Sequence, residues 1–153
     1  GVVHRDLNPR NIGFREGLVK IFDFGTAHIL RTTIHLRRNL DGGWGERDAE
    51  NMILGTPCYM SPEQAEGREF DERADIFSLG CLSFELLSGE MAFPGRLGSQ
   101  VLTIDEGEKI LAGLESKLEG KVPKQGKSTI ISALSADPSK RPESVEVFSK
   151  GLS

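Results

Sequence analysis

The stretch His4-Arg5-Asp6-Leu7-Asn8-Pro9-Arg10-Asn11 decides how the rest of this chain is read. It sets a carboxylate and a carboxamide five positions apart in a polar loop. Two short apolar runs follow at once, Ile12 to Phe14 and Leu18 to Phe22, separated by Arg15-Glu16-Gly17. They predict a hairpin whose turn uses Gly17 at positive φ. Twelve residues after Asn11 stands Asp23-Phe24-Gly25. Phosphoryl transfer needs a carboxylate to orient and accept the hydroxyl proton, and hard oxygen ligands to hold magnesium on the phosphates. Asp6 suits the first task, and Asn11 with Asp23 suits the second.

Working outward, residues 25 to 55 are poor in periodicity and rich in Arg, Gly, Asp and Asn, the composition of a functional or disordered loop. Beyond it, Asp71 is placed to cap a helix that runs to about Ser88, with Gly89 as its stop. Its apolar residues fall on nearly every face, which predicts a central helix packed all round. Three further apolar patterns predict helices: Ile110, Leu111, Leu114, Leu118; then Ile130, Ile131, Leu134; then Val145, Phe148, Leu152 after a helix-opening Pro142.

Composition bounds the rest. A chain of 153 residues, 37% hydrophobic and 27% charged, fits one domain over 1–153 with a core of its own. A net charge of -4 with interspersed signs argues against a nucleic-acid or polybasic membrane surface, and Arg31, Arg37 and Arg38 are too few to alter that. Ile76 to Leu87, the most apolar stretch, is broken by Ser78, Ser83 and Glu85 and falls short of the roughly 20 residues a membrane span needs. Cys58 and Cys81 lack metal or disulfide spacing and suit a reducing compartment, cytoplasmic or nuclear. The chain opens on Gly rather than Met, which reads as a cut. Gly120 to Ser128 ends like a phosphate-binding loop, but five residues rather than four separate its glycines and no apolar strand precedes it, so it is read as a helix-helix linker.

His4-Arg5-Asp6 through Asn11, followed by Asp23-Phe24-Gly25, resembles the catalytic loop and metal-binding motif of eukaryotic-type protein kinases in order and spacing. Gly55-Thr56-Pro57-Cys58-Tyr59-Met60-Ser61-Pro62-Glu63 is similar to the end of a kinase activation segment, with Ser61 in place of the usual Ala. Asp75-Ile76-Phe77-Ser78-Leu79-Gly80 resembles the start of the family's central helix, and Asp137-Pro138-Ser139-Lys140-Arg141-Pro142 its late arginine motif. The implied fold is α+β and kinase-like, C-terminal lobe only, mainly helical with a short β-hairpin near the N-terminus. The implied partners are ATP, Mg2+, a protein substrate and an N-terminal lobe of the same polypeptide.

The resemblance also implies roles. Asp6 is the catalytic base, Asn11 and Asp23 are the metal ligands, and Thr56 helps present the acceptor hydroxyl. Arg5 engages a phosphorylated activation loop, for which Thr26, Thr32 and Thr33 are candidate acceptors. Glu63 pairs with Arg141, Asp75 holds the turn at His4 and Arg5, and Gly25 completes the metal motif. His4 packs inward rather than acting as a base, while His28 and His35 are solvated. Asn8 stands where serine/threonine kinases carry a Lys that contacts the transferring phosphate, so a charge is missing from the catalytic set and Asn8→Lys is expected to raise kcat. Pro9 and the Gly55-Thr56 pair point to serine or threonine as acceptor. The isolated chain, without the ATP-gripping lobe, is expected to be inactive. The alternative is a pseudokinase scaffold. Bacterial antibiotic phosphotransferases share the His-x-Asp loop but lack the segment from Thr56 to Glu63.

Overall fold

The computed structural model describes residues 2–26, 28–29, 57–94 and 104–153. Among the described residues, four short strands and five α-helices are joined by loops and short 3-10 turns. The strands are β1 (Val2–Val3), β2 (Ile12–Arg15), β3 (Leu18–Ile21) and β4 (His28–Ile29). The helices are α1 (Pro62–Ala65), α2 (Arg73–Ser88), α3 (Ile104–Lys117), α4 (Lys124–Ala133) and α5 (Val145–Leu152). Helix dominates and a hairpin lies near the start, the architecture expected from the sequence.

Strands β2 and β3 pair antiparallel from Ile12↔Ile21 to Arg15↔Leu18. Their loop is therefore the two residues Glu16 and Gly17, at φ 54 and 79. Both positive angles belong to the turn whose twist matches that of the strands, and Gly17 takes its share at no steric cost. The loop is one residue shorter than the apolar runs imply, because Arg15 completes the ladder. Strand β4 pairs with β1, Val3 opposite His28, so His28 belongs to a sheet rather than to a loop.

Helix α2 is the strut of the fold. Ile76, Phe77, Cys81 and Phe84 along it are almost fully buried. It begins at Arg73 with Glu72 as its cap, one residue later than expected, and the Asp71 carboxylate accepts from the Arg73 N–H at 2.9 Å. Gly89 ends it at φ 80, its N–H donating to the Glu85 carbonyl. The helix is not packed all round: its last turn emerges from the core, and Leu86 is exposed. Leu114 and Leu118 at the end of α3, Ile130 and Leu134 at the end of α4, and Phe77, Leu82 and Phe84 of α2 form one core with Leu7 and Phe93. A smaller cluster joins Ile76, Ala133 and the Phe148 of α5.

Helix α5 starts after Ser144, whose hydroxyl accepts from the Val147 N–H; Pro142 lies in the extended approach rather than in the first turn. Lys124 to Ser128, read as linker, forms the first half of α4. Among the described residues no helix is long and apolar enough to cross a membrane.

Candidate functional site

The polar loop from His4 to Asn11 is fixed to α2 by one carboxylate. Asp75 accepts from the His4 N–H at 2.6 Å and from the Arg5 N–H at 2.9 Å, one bond to each oxygen. That anchor holds Arg5 at φ 76, a left-handed conformation that costs a residue with a side chain about 1–2 kcal/mol. Burial pushes the Asp75 carboxyl above its ordinary value, and the two backbone donors only partly offset this. Gln64 of α1 adds a second tie, donating from Nε2 to the Arg5 carbonyl at 3.0 Å.

His4 is buried behind the loop. Its Nε2 lies 2.8 Å from the Phe22 carbonyl, and its Nδ1 accepts from the Asp6 N–H at 3.3 Å. A carbonyl only accepts and an amide N–H only donates, so the proton sits on Nε2 and the lone pair on Nδ1. The Phe24 ring meets the imidazole edge-on at 4.7 Å. His4 thus links the polar loop to both neighbours of Asp23.

The hairpin completes the link. The Phe22 N–H donates to the Asn11 carbonyl at 2.8 Å, so the two ends of the hairpin meet beside the loop. Asp23 follows directly, at φ 59, with one carboxylate oxygen accepting from the Gly25 N–H at 3.2 Å. Arg5 and Asp23, which flank this corner, both hold strained backbone angles, a pattern that clusters at functional sites.

Asp6, half-buried, is held on both sides. Asn8 donates from Nδ2 to the Asp6 main-chain carbonyl at 3.0 Å and to its Oδ1 at 2.9 Å. Asn11 donates from Nδ2 to the same carbonyl at 2.8 Å and to Oδ2 at 2.9 Å. Each carboxylate oxygen keeps a lone pair for a further donor. The Asn11 amide nitrogen is committed to Asp6, which leaves its carbonyl oxygen as the atom a cation can use. It and the Asp23 carboxylate are hard oxygen donors of the type magnesium takes. The described residues hold no cluster of three or more His, Cys, Asp or Glu side chains that could cage a metal by themselves.

Residues 1–151 match the model of the protein kinase domain. The chain belongs to the protein kinase domain family. Over 154 residues it is 32% identical to the serine/threonine-protein kinase Nek8 of Danio rerio, covering 99% of this chain and 19% of that protein. Human serine/threonine-protein kinase Nek11 is 33% identical over 147 residues, 96% of this chain and 20% of that protein. The serine/threonine-protein kinase A of Synechocystis is 33% identical over 157 residues, 99% of this chain and 27% of that protein. The chain therefore spans only about a fifth to a quarter of the length of these kinases.

The structure brings Asp6, Asn8 and Asn11 into direct contact and sets Asp23 at the adjoining corner of the hairpin. Asn8, at the position where the resemblance expects a Lys, is 3% exposed, with its amide nitrogen on Asp6 and its Oδ1 accepting from the Arg10 N–H at 2.9 Å. Arg5 packs its guanidinium 5.0 Å from the centroid of the Phe70 ring. Thr32, Thr33, Thr56 and His35 lie outside the described residues, as does the side chain of Thr26. Glu63 and Arg141 meet in the core, Arg141 Nη1 to Glu63 Oε1 at 2.6 Å and Nη2 to Oε2 at 2.8 Å.

Sequence reading passed over Gln64 and Phe70. Gln64 had a signal, since its Oε1 accepts from the Ser61 N–H and hydroxyl, the reciprocal half of a capping box at Ser-x-x-Gln spacing. Phe70 had none, because its stack on Arg5 crosses 65 positions of sequence.

Proposed function

We propose that the polypeptide containing this chain is a serine/threonine protein kinase, and that these residues form the C-terminal lobe of its catalytic domain. The observation that carries the reading is the Asp6 carboxylate, half-buried, held by two amides on a loop anchored to the central helix, with Asn11 and Asp23 beside it. The relatives, all of them named serine/threonine-protein kinases, support the acceptor class.

In this reading the acceptor hydroxyl donates to a free lone pair of Asp6. As its oxygen bonds to the γ-phosphorus, its proton passes to the carboxylate and the bond from that phosphorus to the bridging oxygen of ADP breaks. Asn11 Oδ1 and Asp23 are the groups that would hold Mg2+, which when bound neutralises charge on the phosphates. Residues of the polypeptide's other lobe would grip the adenine and outer phosphates of ATP. Phosphorylation of a threonine between residues 26 and 56 would supply Arg5 with an anion that competes with its stack on Phe70.

The test is transfer of radiolabelled γ-phosphate from MgATP to a serine- and threonine-containing peptide library by the full-length protein. Transfer by the parent, with Asp6→Asn and Asp23→Ala each reducing it by about a thousandfold, is expected. A full-length protein that binds MgATP yet transfers nothing would favour the scaffold reading instead.

A further inference from the structure

Asn8 does two jobs at once, and only one of them concerns local structure. Its Oδ1 accepts from the Arg10 N–H and caps the short 3-10 helix Pro9–Asn11, whose first position is the proline that such a turn tolerates. Its Nδ2 bridges the main-chain carbonyl and the Oδ1 of Asp6. Asn11 makes the mirror-image bridge to the same carbonyl and to Oδ2. The Asp6 carboxylate cannot rotate about either side-chain torsion without breaking one of these bridges.

We propose that Asn8 is a positioning residue for Asp6, fixing the orientation of its carboxylate from the buried side as Asn11 does from the other. The inference rests on the kinase reading of Asp6 and adds a part to it. The identity of the side chain follows from the geometry. A donor and an acceptor are needed at the end of a short stem: aspartate lacks the donor, lysine lacks the acceptor, serine lacks the reach and glutamine adds a methylene inside a site that is 3% exposed. Where the resemblance expects a Lys and its charge contact with phosphate, this chain carries a restraint on the base. Restraint matters because displacing a reacting group by an ångström costs about a hundredfold in rate.

Asn8→Asp separates the two jobs. It keeps the acceptor for Arg10, loses the donor to Asp6 and sets a like charge beside it. In the full-length protein we expect kcat to fall by about tenfold to a hundredfold, with KM for MgATP within about twofold of the parent. Asn8→Ala, which removes the donor without adding a charge, should lower kcat in the same way. A kcat for Asn8→Asp within about twofold of the parent overturns the proposal and leaves Asn8 as a cap alone. So does a rise in kcat of about tenfold on Asn8→Lys, which would mark the position as a phosphate contact after all. A second measurement needs no activity, and so separates failure of this proposal from failure of the kinase reading. In nitrogen-15 NMR of the full-length protein, Asp6→Ala should shift one of the two side-chain amide protons of Asn8 upfield and speed its exchange with solvent. An Asn8 amide unmoved by Asp6→Ala overturns the proposal whether or not the protein transfers phosphate.

Discussion

Arg141 and Glu63, 78 positions apart, show how much a single side chain can carry. All five N–H groups of the guanidinium are used: two on the Glu63 carboxylate, and one each on the carbonyls of Ser135, Arg73 and Ala136. The guanidinium also stacks 5.0 Å from the centroid of the Phe77 ring. Both side chains are almost wholly buried, at 0% and 2% exposure, so removing one strands a charge in the core. Arg141→Ala or Glu63→Gln should cost about 3–5 kcal/mol in urea denaturation. Arg141→Lys should cost nearly as much, because an ammonium cannot make the bidentate contact and reach three carbonyls. Burial pushes the Glu63 carboxyl up, yet the Arg141 hydrogen bonds and charge outweigh it and hold the group below its ordinary value of 4.5. A carboxyl depressed in the folded state contributes stability that is present above its unfolded value and lost as pH falls through the folded one. Denaturation midpoints of the parent should therefore drop as pH falls below 4.5, and Glu63→Gln should flatten that part of the curve. A variant as acid-sensitive as the parent would place the titrating group elsewhere.

At the scale of elements, the contact between α2 and α4 turns on Gly80. A Cβ there would meet the Ala133 Cβ at 2.9 Å and the Leu134 Cδ2 at 3.2 Å, so the two helices approach closely only because Gly80 has no side chain. Two effects compete in Gly80→Ala. Helix propensity favours Ala by about 1 kcal/mol, while overpacking a close helix contact costs about 1–3 kcal/mol. The clash is with a Cβ on the facing helix, which no rotamer change can relieve, so the second effect should win. Thermal denaturation is expected to show a net loss of about 1 kcal/mol or more. Gly80→Ala paired with Ala133→Gly should recover most of it. A stabilised single variant would mean that α2 and α4 separate freely. The same contact positions the site, since Asp75, one and a half turns earlier on α2, holds the loop that presents Asp6.

At the scale of the whole molecule, the hairpin is the most apolar exposed feature among the described residues. Phe14 is 76% exposed and its cross-strand partner Val19 is 66% exposed, with Leu18, Phe22 and Phe24 also more than half exposed. The 153-residue chain in isolation should therefore self-associate, and sedimentation velocity should detect it at micromolar concentration. Replacing the pair by Phe14→Glu with Val19→Lys keeps a favourable cross-strand contact, and should restore a monomer without lowering the melting temperature. Association that survives the double substitution would put the contact surface elsewhere. Much of this architecture was legible along the chain. The hairpin could be read because Gly17 allows a tight turn that matches strand twist, and the helices because apolar spacing follows the 3.6-residue period. The candidate site residues could be named because Asp6, Asn11 and Asp23 are close in sequence and their donor chemistry is local. What Asn8 does was not legible: its cap on Arg10 could have been read from Asn-Pro, but its bond to Asp6 depends on the loop folding back on itself. Nor could sequence say that Leu86 leaves the core while Phe84 stays in it, or that Arg5 stacks on Phe70. By itself the sequence determined the elements and the chemical groups available, since periodicity, turn residues and side-chain donors are local properties. Only the tertiary structure decided which donor meets which acceptor, because a hydrogen bond requires two groups within about 3 Å and that distance is set by the packing of the whole chain.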